Sequence, residues 1–448
     1  MAKPSMRYVC ANCGAISPKW SGRCGNCGEW NTLTEQLNAK TAEAASAKTG
    51  RSLSAQPITA IKPDANRGRL GTGISEVDLV LGGGLVPAST VLIAGEPGIG
   101  KSTLILQIAA AVAVKLPVLY VTAEESAGQV HSRAERLKAK AKGLALASTA
   151  STDDIVATMH DGDYSLIVVD SIQTISTELV GSTQGSGSQV TNSAQLLIRA
   201  AKLTGTALII VGHVTKEGTI AGPKLLEHLV DVVLNLEGDR YGGFKLLRSI
   251  KNRYGSTNES GVFEMSAEGL QPIDNPSAAL LAERQVSDGS VVLATMEGSR
   301  PLLVEVQALV NRTAFGYPKR TASGFDLNRL NLLIAMLSRR TKLKLSDMDV
   351  YINIVGGVKI TEPAADLAVC MAVASASKGM ALKDDAVVFG EVGLSGEIRR
   401  VQGVEARVAE AKKLGFKSAI APKPLKADSF IKPAMNVRDA LNKFLSKS

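Results

Sequence analysis

The sequence predicts an α/β chain of several domains, and three observations predict it. From about residue 67 onward, short β-branched runs alternate with longer amphipathic stretches, the pattern of βαβ units around a parallel sheet. A Gly-rich segment, Gly95-Glu96-Pro97-Gly98-Ile99-Gly100-Lys101-Ser102, joins one such run to a helix-like stretch. Two Cys-x-x-Cys pairs lie ahead of the alternation, within the first 27 residues. With 448 residues and 45% hydrophobic content the chain can bury more than one core, because single cores rarely grow beyond roughly 250–300 residues.

Residues 1–35 form the first element. Cys10-x-x-Cys13 and Cys24-x-x-Cys27 are each followed by glycine, Gly14 and Gly28. Tight Cys-Gly turns let two thiolates from each knuckle converge on one tetrahedral Zn²⁺, a closed Cys₄ ribbon with no open position for catalysis. A redox role is the rival, but pairs so closely spaced rarely work as independent dithiols. The fifth cysteine, Cys370, sits in an apolar stretch and is expected in a core. Residues 36–66 then become an Ala/Ser/Thr/Lys mixture that cannot build a core and reads as a linker.

The alternating pattern divides into residues 67–270 and 271–448. In the first, strands are expected at Val91–Ala94, Val118–Thr122, Leu166–Asp170, Ala207–Gly212 and Val232–Leu236, with helices beginning near Lys101, Ser126, Thr191 and Pro223. In the second, strands are expected near Ser290–Thr295, Leu302–Leu309, Val350–Val355 and Val387–Val392.

The net charge of +9 is unevenly spread: +6 over residues 1–70, −4 over 71–270 and +7 over 271–448. A basic surplus is either a solvated face or the footprint of a polyanion, and beside a phosphate-handling domain it favours nucleic acid. No run of eighteen apolar residues appears, and the N-terminus lacks an apolar segment before any cleavage site. A cytoplasmic protein without a membrane span is therefore expected.

The Gly-rich segment matches the P-loop pattern G-x-x-x-x-G-K-[ST] between strand and helix, the context the motif requires. Its backbone N–H groups and helix N-terminus favour phosphate, Lys101 reaches the β/γ-phosphates of ATP, and Ser102 can ligate Mg²⁺. Leu166-Ile-Val-Val-Asp170 is an apolar strand ending in the carboxylate of a Walker B segment, expected to face the magnesium from the neighbouring strand end. Glu124 and Glu125 end another strand, and one of them could hold and polarise the attacking water as general base. The alternative is two solvated carboxylates opening a helix. Two Gly/Ser/Thr-rich segments, between Glu178 and Asn192 and after His213 with Lys216 and Lys224, are either mobile surface loops or the lining of a nucleic-acid path.

These residues carry a resemblance. The Cys₄ start with WSGRCGNCGEWNT, the segment TGISEVDLVLGGGLVPASTVLIAGEPGIGKSTL and the pentapeptide Lys251-Asn252-Arg253-Tyr254-Gly255 resemble the bacterial RadA (Sms) DNA-repair family over essentially the full length. That family usually has Phe where this chain has Tyr254. The resemblance implies a RecA-like P-loop ATPase core that assembles as a homohexameric ring on single-stranded and branched DNA. It further implies branch migration in recombinational repair, with RecA filaments as a partner. It assigns nucleotide binding to residues 95–103, Thr103 included, and to Asp170. Glu124 falls at the catalytic glutamate, His213 at a γ-phosphate sensor, and Lys251 and Arg253 at cations that reach the ATP of the adjacent subunit.

Residues 271–448 resemble the proteolytic domain of Lon proteases through VYINIVGGVKITEPAADLAV and FGEVGLSGEIRRVQGVEARVAEAKKLGF. Lon has Pro-Ser-Ala-Gly where this chain has Pro363-Ala364-Ala365-Asp366, and a catalytic lysine where this chain has Glu405. Without nucleophile or amine base, acyl transfer has no route. A Lon-like α/β scaffold and basic DNA platform is therefore expected. An ATP-dependent protease, a filament-forming strand-exchange recombinase and a KaiC-like ATPase are the rival readings. The missing Ser-Lys pair, the fused Lon-like domain and the Cys₄ ribbon respectively disfavour them.

Overall fold

The computed structural model describes residues 6–37, 57, 59, 68–212, 225–238, 244–314, 316–382, 385–426 and 428–445. The chain divides into two compact units, Met1–Asn66 and Arg67–Ser448. His213, Lys216, Pro223 and Lys224 lie outside the described residues.

The first unit holds a three-stranded antiparallel sheet in which β1 (Met6–Cys10) lies between β2 (Ile16–Ser17) and β3 (Leu33–Leu37). Its third strand runs to Leu37, past the expected end at 35. Its buried core is Cys10, Cys24 and Leu33. So small a core cannot offset chain entropy by itself, which places the folding energy in the cysteine cluster.

The second unit begins with helix α1 (Ser75–Leu81) and a nine-stranded sheet. Six strands are mutually parallel: β4 (Thr90–Gly95), β5 (Val118–Thr122), β6 (Leu144–Ser148), β7 (Leu166–Asp170), β8 (Ala207–Val211) and β9 (Val232–Gly238). Their order is β9-β4-β8-β7-β5-β6, and β10 (Phe244–Asn252), β11 (Ser260–Ser266) and β12 (Gly269–Pro272) extend the β9 edge antiparallel. Strands β4, β5, β7 and β8 are buried along their whole length, as expected of parallel strands covered on both faces. One face packs on α2 (Lys101–Ala113) and α3 (Ala127–Arg136), the other on α4 (Thr152–Asp161) and α5 (Gly187–Thr204).

Three sequence expectations are corrected. β8 lies between the P-loop strand β4 and the Walker B strand β7, so the two are not neighbours. Helix α5 begins at Gly187 rather than near Thr191, because Ser186 caps it by accepting from the Gln189 N–H at 3.3 Å. The segment after Glu178 is thus shorter than its composition suggests. It is also pinned: the buried Gln189 amide donates to the Thr177, Val180 and Ser182 carbonyls at 3.1, 2.7 and 3.0 Å. The strand expected over Val387–Val392 is two, Ala386–Val388 and Glu391–Val392, broken at Gly390, where a Cβ would come 2.9 Å from Ile398.

After α6 (Leu225–Leu229) and the nine-stranded sheet come α7 (Pro276–Leu281) and a seven-stranded mixed sheet. Its strands are β13 (Ser290–Glu297), β14 (Arg300–Arg312), β15 (Arg320–Ser323), β16 (Met348–Ile354), β17 (Ala386–Val388), β20 (Ser418–Ala421) and β21 (Ile431–Pro433). β18 (Glu391–Val392) and β19 (Ile398–Arg399) pair separately. Helices α8 (Leu327–Thr341), α9 (Asp366–Lys378), α10 (Val404–Lys413) and α11 (Val437–Phe444) complete it. α9 is buried on nearly every side, Cys370 included, as its apolar sequence requires. Leu246 of β10 and Val262 of β11 belong to this second core, so the two sheets share apolar packing.

Candidate active site

β4 delivers the P-loop to the C-terminal end of the parallel sheet. The loop needs glycine where it is tightest: Gly98 has φ 80° and Gly100, the residue before α2, has φ 115°. At Gly95 a Cβ would lie 2.6 Å from the Leu236 carbonyl oxygen of β9, so the strand pair excludes any side chain. Lys101 opens α2 and is buried, its Nζ donating to the Gly95 and Glu96 carbonyls at 2.9 Å each. Burial lowers its pKa to about 8, opposed by the charges of Asp170, Glu124 and Glu96. An ammonium this strained for solvation gains most from a polyanionic ligand. Ser102 and Thr103, both half-buried, follow in the first turn beside the unsatisfied N–H groups.

Asp170 ends β7 in a buried position and accepts a hydrogen bond from the Tyr120 hydroxyl at 2.7 Å. Desolvation and the adjacent Asp170 carboxylate push the Tyr120 pKa well above its ordinary value, which keeps the hydroxyl protonated and donating. The next residue, Ser171, donates its Oγ to Glu124 Oε1 at 3.0 Å. The two glutamates, of which the motif left either open and the resemblance chose Glu124, stand in different surroundings. Glu125 is ion-paired with Arg133 of α3, while exposed Glu124 is tied to the Asp170–Ser171 strand end. Tyr120 and Ser171 were missed from the sequence; Tyr120 reaches Asp170 from two residues before Thr122, which pairs with Asp170 across β5 and β7.

Lys251 and Arg253 lie elsewhere. Lys251 pairs with Val233 and Asn252 with Val232, at the N-terminal end of β9, whereas the P-loop Gly95 pairs with Leu236. That separation is about 10 Å along the strand plus two strand spacings of about 5 Å. Lys251 Nζ donates to the Glu227 and Val230 carbonyls at 2.8 Å each, at the end of α6. Arg253 is exposed, 3.8 Å from the buried Asp231 carboxylate. The pentapeptide also packs on the TGISEVDLVLGGGL segment: Arg69 donates to the Tyr254 carbonyl at 2.6 Å and to the Leu81 carbonyl at 3.0 Å.

In the ribbon, the ligand atoms of Cys10, Cys13, Cys24 and Cys27 all lie within 4.8 Å of one another. Cys10 Sγ is 3.6 Å from Cys27 Sγ and Cys13 Sγ 3.7 Å from Cys24 Sγ. Tetrahedral Zn–S bonds of about 2.3 Å set sulfurs about 3.8 Å apart, so the cluster fits zinc and not disulfides. The two knuckles repeat one hydrogen-bond pattern: Gly14 N–H to the Cys10 carbonyl at 2.9 Å, and Gly28 N–H to the Cys24 carbonyl at 3.0 Å.

Ala364 is buried, and Glu405 is exposed on α10. Asp366 is buried and paired with Arg329, and it accepts the Val392 N–H at 3.1 Å.

Sheet order, P-loop and Walker B carboxylate define a RecA-like P-loop ATPase that carries a Cys₄ zinc ribbon and a Lon-like α/β domain. Family models agree: an AAA domain matches residues 57–219, a rubredoxin metal binding domain matches 8–35, and a domain described as subunit ChlI of Mg-chelatase matches 331–424. The DNA repair protein RadA of Pseudomonas aeruginosa is 49% identical over 428 residues, 94% of this chain and 94% of its own. Those of Listeria monocytogenes and Bacillus subtilis are 47% and 46% identical, over 94% and 97% of this chain and 93% and 95% of theirs. The chain belongs to the RadA family of DNA repair proteins.

Proposed function

We propose that this chain is a DNA-dependent ATPase that works as a homohexameric ring on recombination intermediates and drives branch migration, with ATP, Mg²⁺ and Zn²⁺ as its cofactors. The observation that carries the reading is the split of cations between opposite ends of one sheet. Lys101, Asp170 and Glu124 gather at the C-terminal end, while Lys251 and Arg253 stand at the N-terminal end, too far to reach their own P-loop. Cations held there serve an ATP phosphate only if that ATP belongs to another subunit.

ATP would be held by the backbone of residues 95–103 and by Lys101, and Mg²⁺ by Ser102 and Asp170. When bound, Mg-ATP supplies the scissile phosphoryl group and the charge that polarises it. Tyr120 holds one oxygen of Asp170 at 2.7 Å, and the other would be the one offered to Mg²⁺. Glu124, anchored through Oε1, would orient water and accept its proton at Oε2. His213 is proposed as the γ-phosphate sensor. Lys251 and Arg253 would complete a neighbouring site, where charge on the transferred group is greatest. Lys251 would first leave its three carbonyl acceptors on residues 227, 228 and 230.

The test is complementation. Lys101→Ala and Lys251→Ala chains are each expected to lose ATP hydrolysis, while mixed rings place an intact P-loop against an intact Lys251 and recover part of it. Mixed rings that demonstrably form and stay inactive at every ratio would remove the trans-acting role.

A further inference from the structure

The chain has two tryptophans in 448 residues, and both lie in the ribbon. Trp20 is 58% exposed and Trp30 68%, although tryptophan is on average a highly buried residue. They flank the second knuckle, Cys24-x-x-Cys27. Trp30 is fixed rather than splayed. It forms a β-bridge with Arg23, and its ring lies over Gly22, where a Cβ would be 3.5 Å away. The Arg23 guanidinium stands 5.9 Å from the ring centroid and donates Nε to the Gly28 carbonyl at 2.7 Å. The surrounding surface is polar or small: Lys19, Ser21, Gly25 and Asn26 are all exposed.

We propose that Trp20 and Trp30 are stacking platforms for the bases of single-stranded DNA, with Arg23 and Lys19 beside its phosphates. The inference rests on the DNA-binding reading above and names where on the chain the bases sit. Stacking needs an exposed π-face on a fixed frame with cations at its side, and the Arg23–Trp30 pair supplies both. A protein partner would call for a contiguous apolar patch. Among the described ribbon residues the one other exposed large apolar side chain is Ile16. Residues 1–70 also carry +6, which complements a polyanion.

Because both tryptophans are in the ribbon, the tryptophan fluorescence of the zinc-loaded full chain, excited beyond the tyrosine absorption band, reports that surface alone. Unlabelled oligo(dT) should quench it along the same isotherm that anisotropy of dye-labelled oligo(dT) traces. Trp20→Ala and Trp30→Ala should each weaken binding roughly 5- to 150-fold, while Trp30→Phe, which keeps a ring, retains most of the affinity. Zinc content in each variant separates lost stacking from a lost fold. Binding by anisotropy with unchanged fluorescence would overturn the platform and leave DNA binding standing. No binding by either method would sink the DNA reading itself. Tryptophan variants that bind oligo(dT) normally but fail to bind RecA filaments would turn the surface into a protein-docking site and overturn the proposal.

Discussion

Asp170 shows how much of a candidate ligand side chain's behaviour is set by a neighbour on another strand. Its carboxylate is buried at the end of β7, and the Tyr120 hydroxyl from β5 holds one oxygen at 2.7 Å. Without that donor the carboxylate loses a hydrogen bond that holds its orientation and offsets part of its desolvation cost. Tyr120→Phe removes the donor and little else, because the ring stays packed. A hydrogen bond to a charged group is worth about 1.5 kcal/mol, or roughly tenfold in an equilibrium. The Mg²⁺ concentration that half-saturates nucleotide binding should therefore rise about tenfold in Tyr120→Phe, with the melting temperature shifted by only a few degrees. Equilibrium titration of a fluorescent nucleotide against Mg²⁺ measures it, without recourse to turnover. An unchanged Mg²⁺ requirement would reduce Tyr120 to a core filler.

At the scale of elements, the segment Glu362–Asp366 is clamped at both ends. Asp366 is paired with Arg329 of α8. Glu362 is paired with Arg407 of α10 and also accepts from Thr295 Oγ1 and the Met296 N–H of β13 at 2.9 and 2.8 Å. Arg407 is fully buried, and it also donates to the Ala294 carbonyl at 2.5 Å. Removing one partner of such a pair strands the other charge. Arg407→Ala should lower stability by about 3 kcal/mol, the low end for a broken buried pair, because Glu362 is 24% exposed. Chemical denaturation of the full chain checks this, and the Arg407→Met, Glu362→Gln double variant should recover most of the loss. Sequence pattern made the P-loop, the Walker B strand and the cysteine knuckles readable, because each is a local run whose chemistry depends on spacing alone. It could not reveal the Arg407–Glu362 or Tyr120–Asp170 contacts, which join residues 45 and 50 apart through strand register and helix docking. For the same reason the strand-end motif could not tell Glu124 from Glu125, whose different partners, Ser171 and Arg133, come from other elements.

Across the second unit as a whole, the ATPase sheet and the Lon-like sheet are joined by charge as well as by shared core. Glu76 of α1 accepts from Arg300 of β14 at 2.6 Å and from the Val262 N–H at 2.9 Å. Arg248 of β10 bridges Glu237 of β9 and Glu297 of β13. Glu237 follows Leu236, whose carbonyl closes on Gly95, so the ion pairs begin next to the residue that faces the first glycine of the P-loop. A body joined in this way can present one continuous surface to DNA, and its basic surplus of +7 lies in residues 271–448. The cations cluster where α8 ends: Arg339, Arg340, Lys342 and Lys344 are exposed, and Arg438 joins them by donating to the Arg340 carbonyl at 2.6 Å. Cations also suit a helix C-terminus for local reasons, so their position alone does not decide between a solvated face and a phosphate track. Salt dependence does decide. Each phosphate neutralised on a single strand contributes about 0.7 to the slope of log affinity against log salt. Changing Arg339, Arg340, Lys342 and Lys344 to Glu should therefore weaken oligo(dT) binding at low salt and flatten that slope by up to about 3. A purely local role predicts lower stability with the slope intact. Unchanged affinity and slope in a folded quadruple variant would move the phosphate track off this domain and onto the ATPase face.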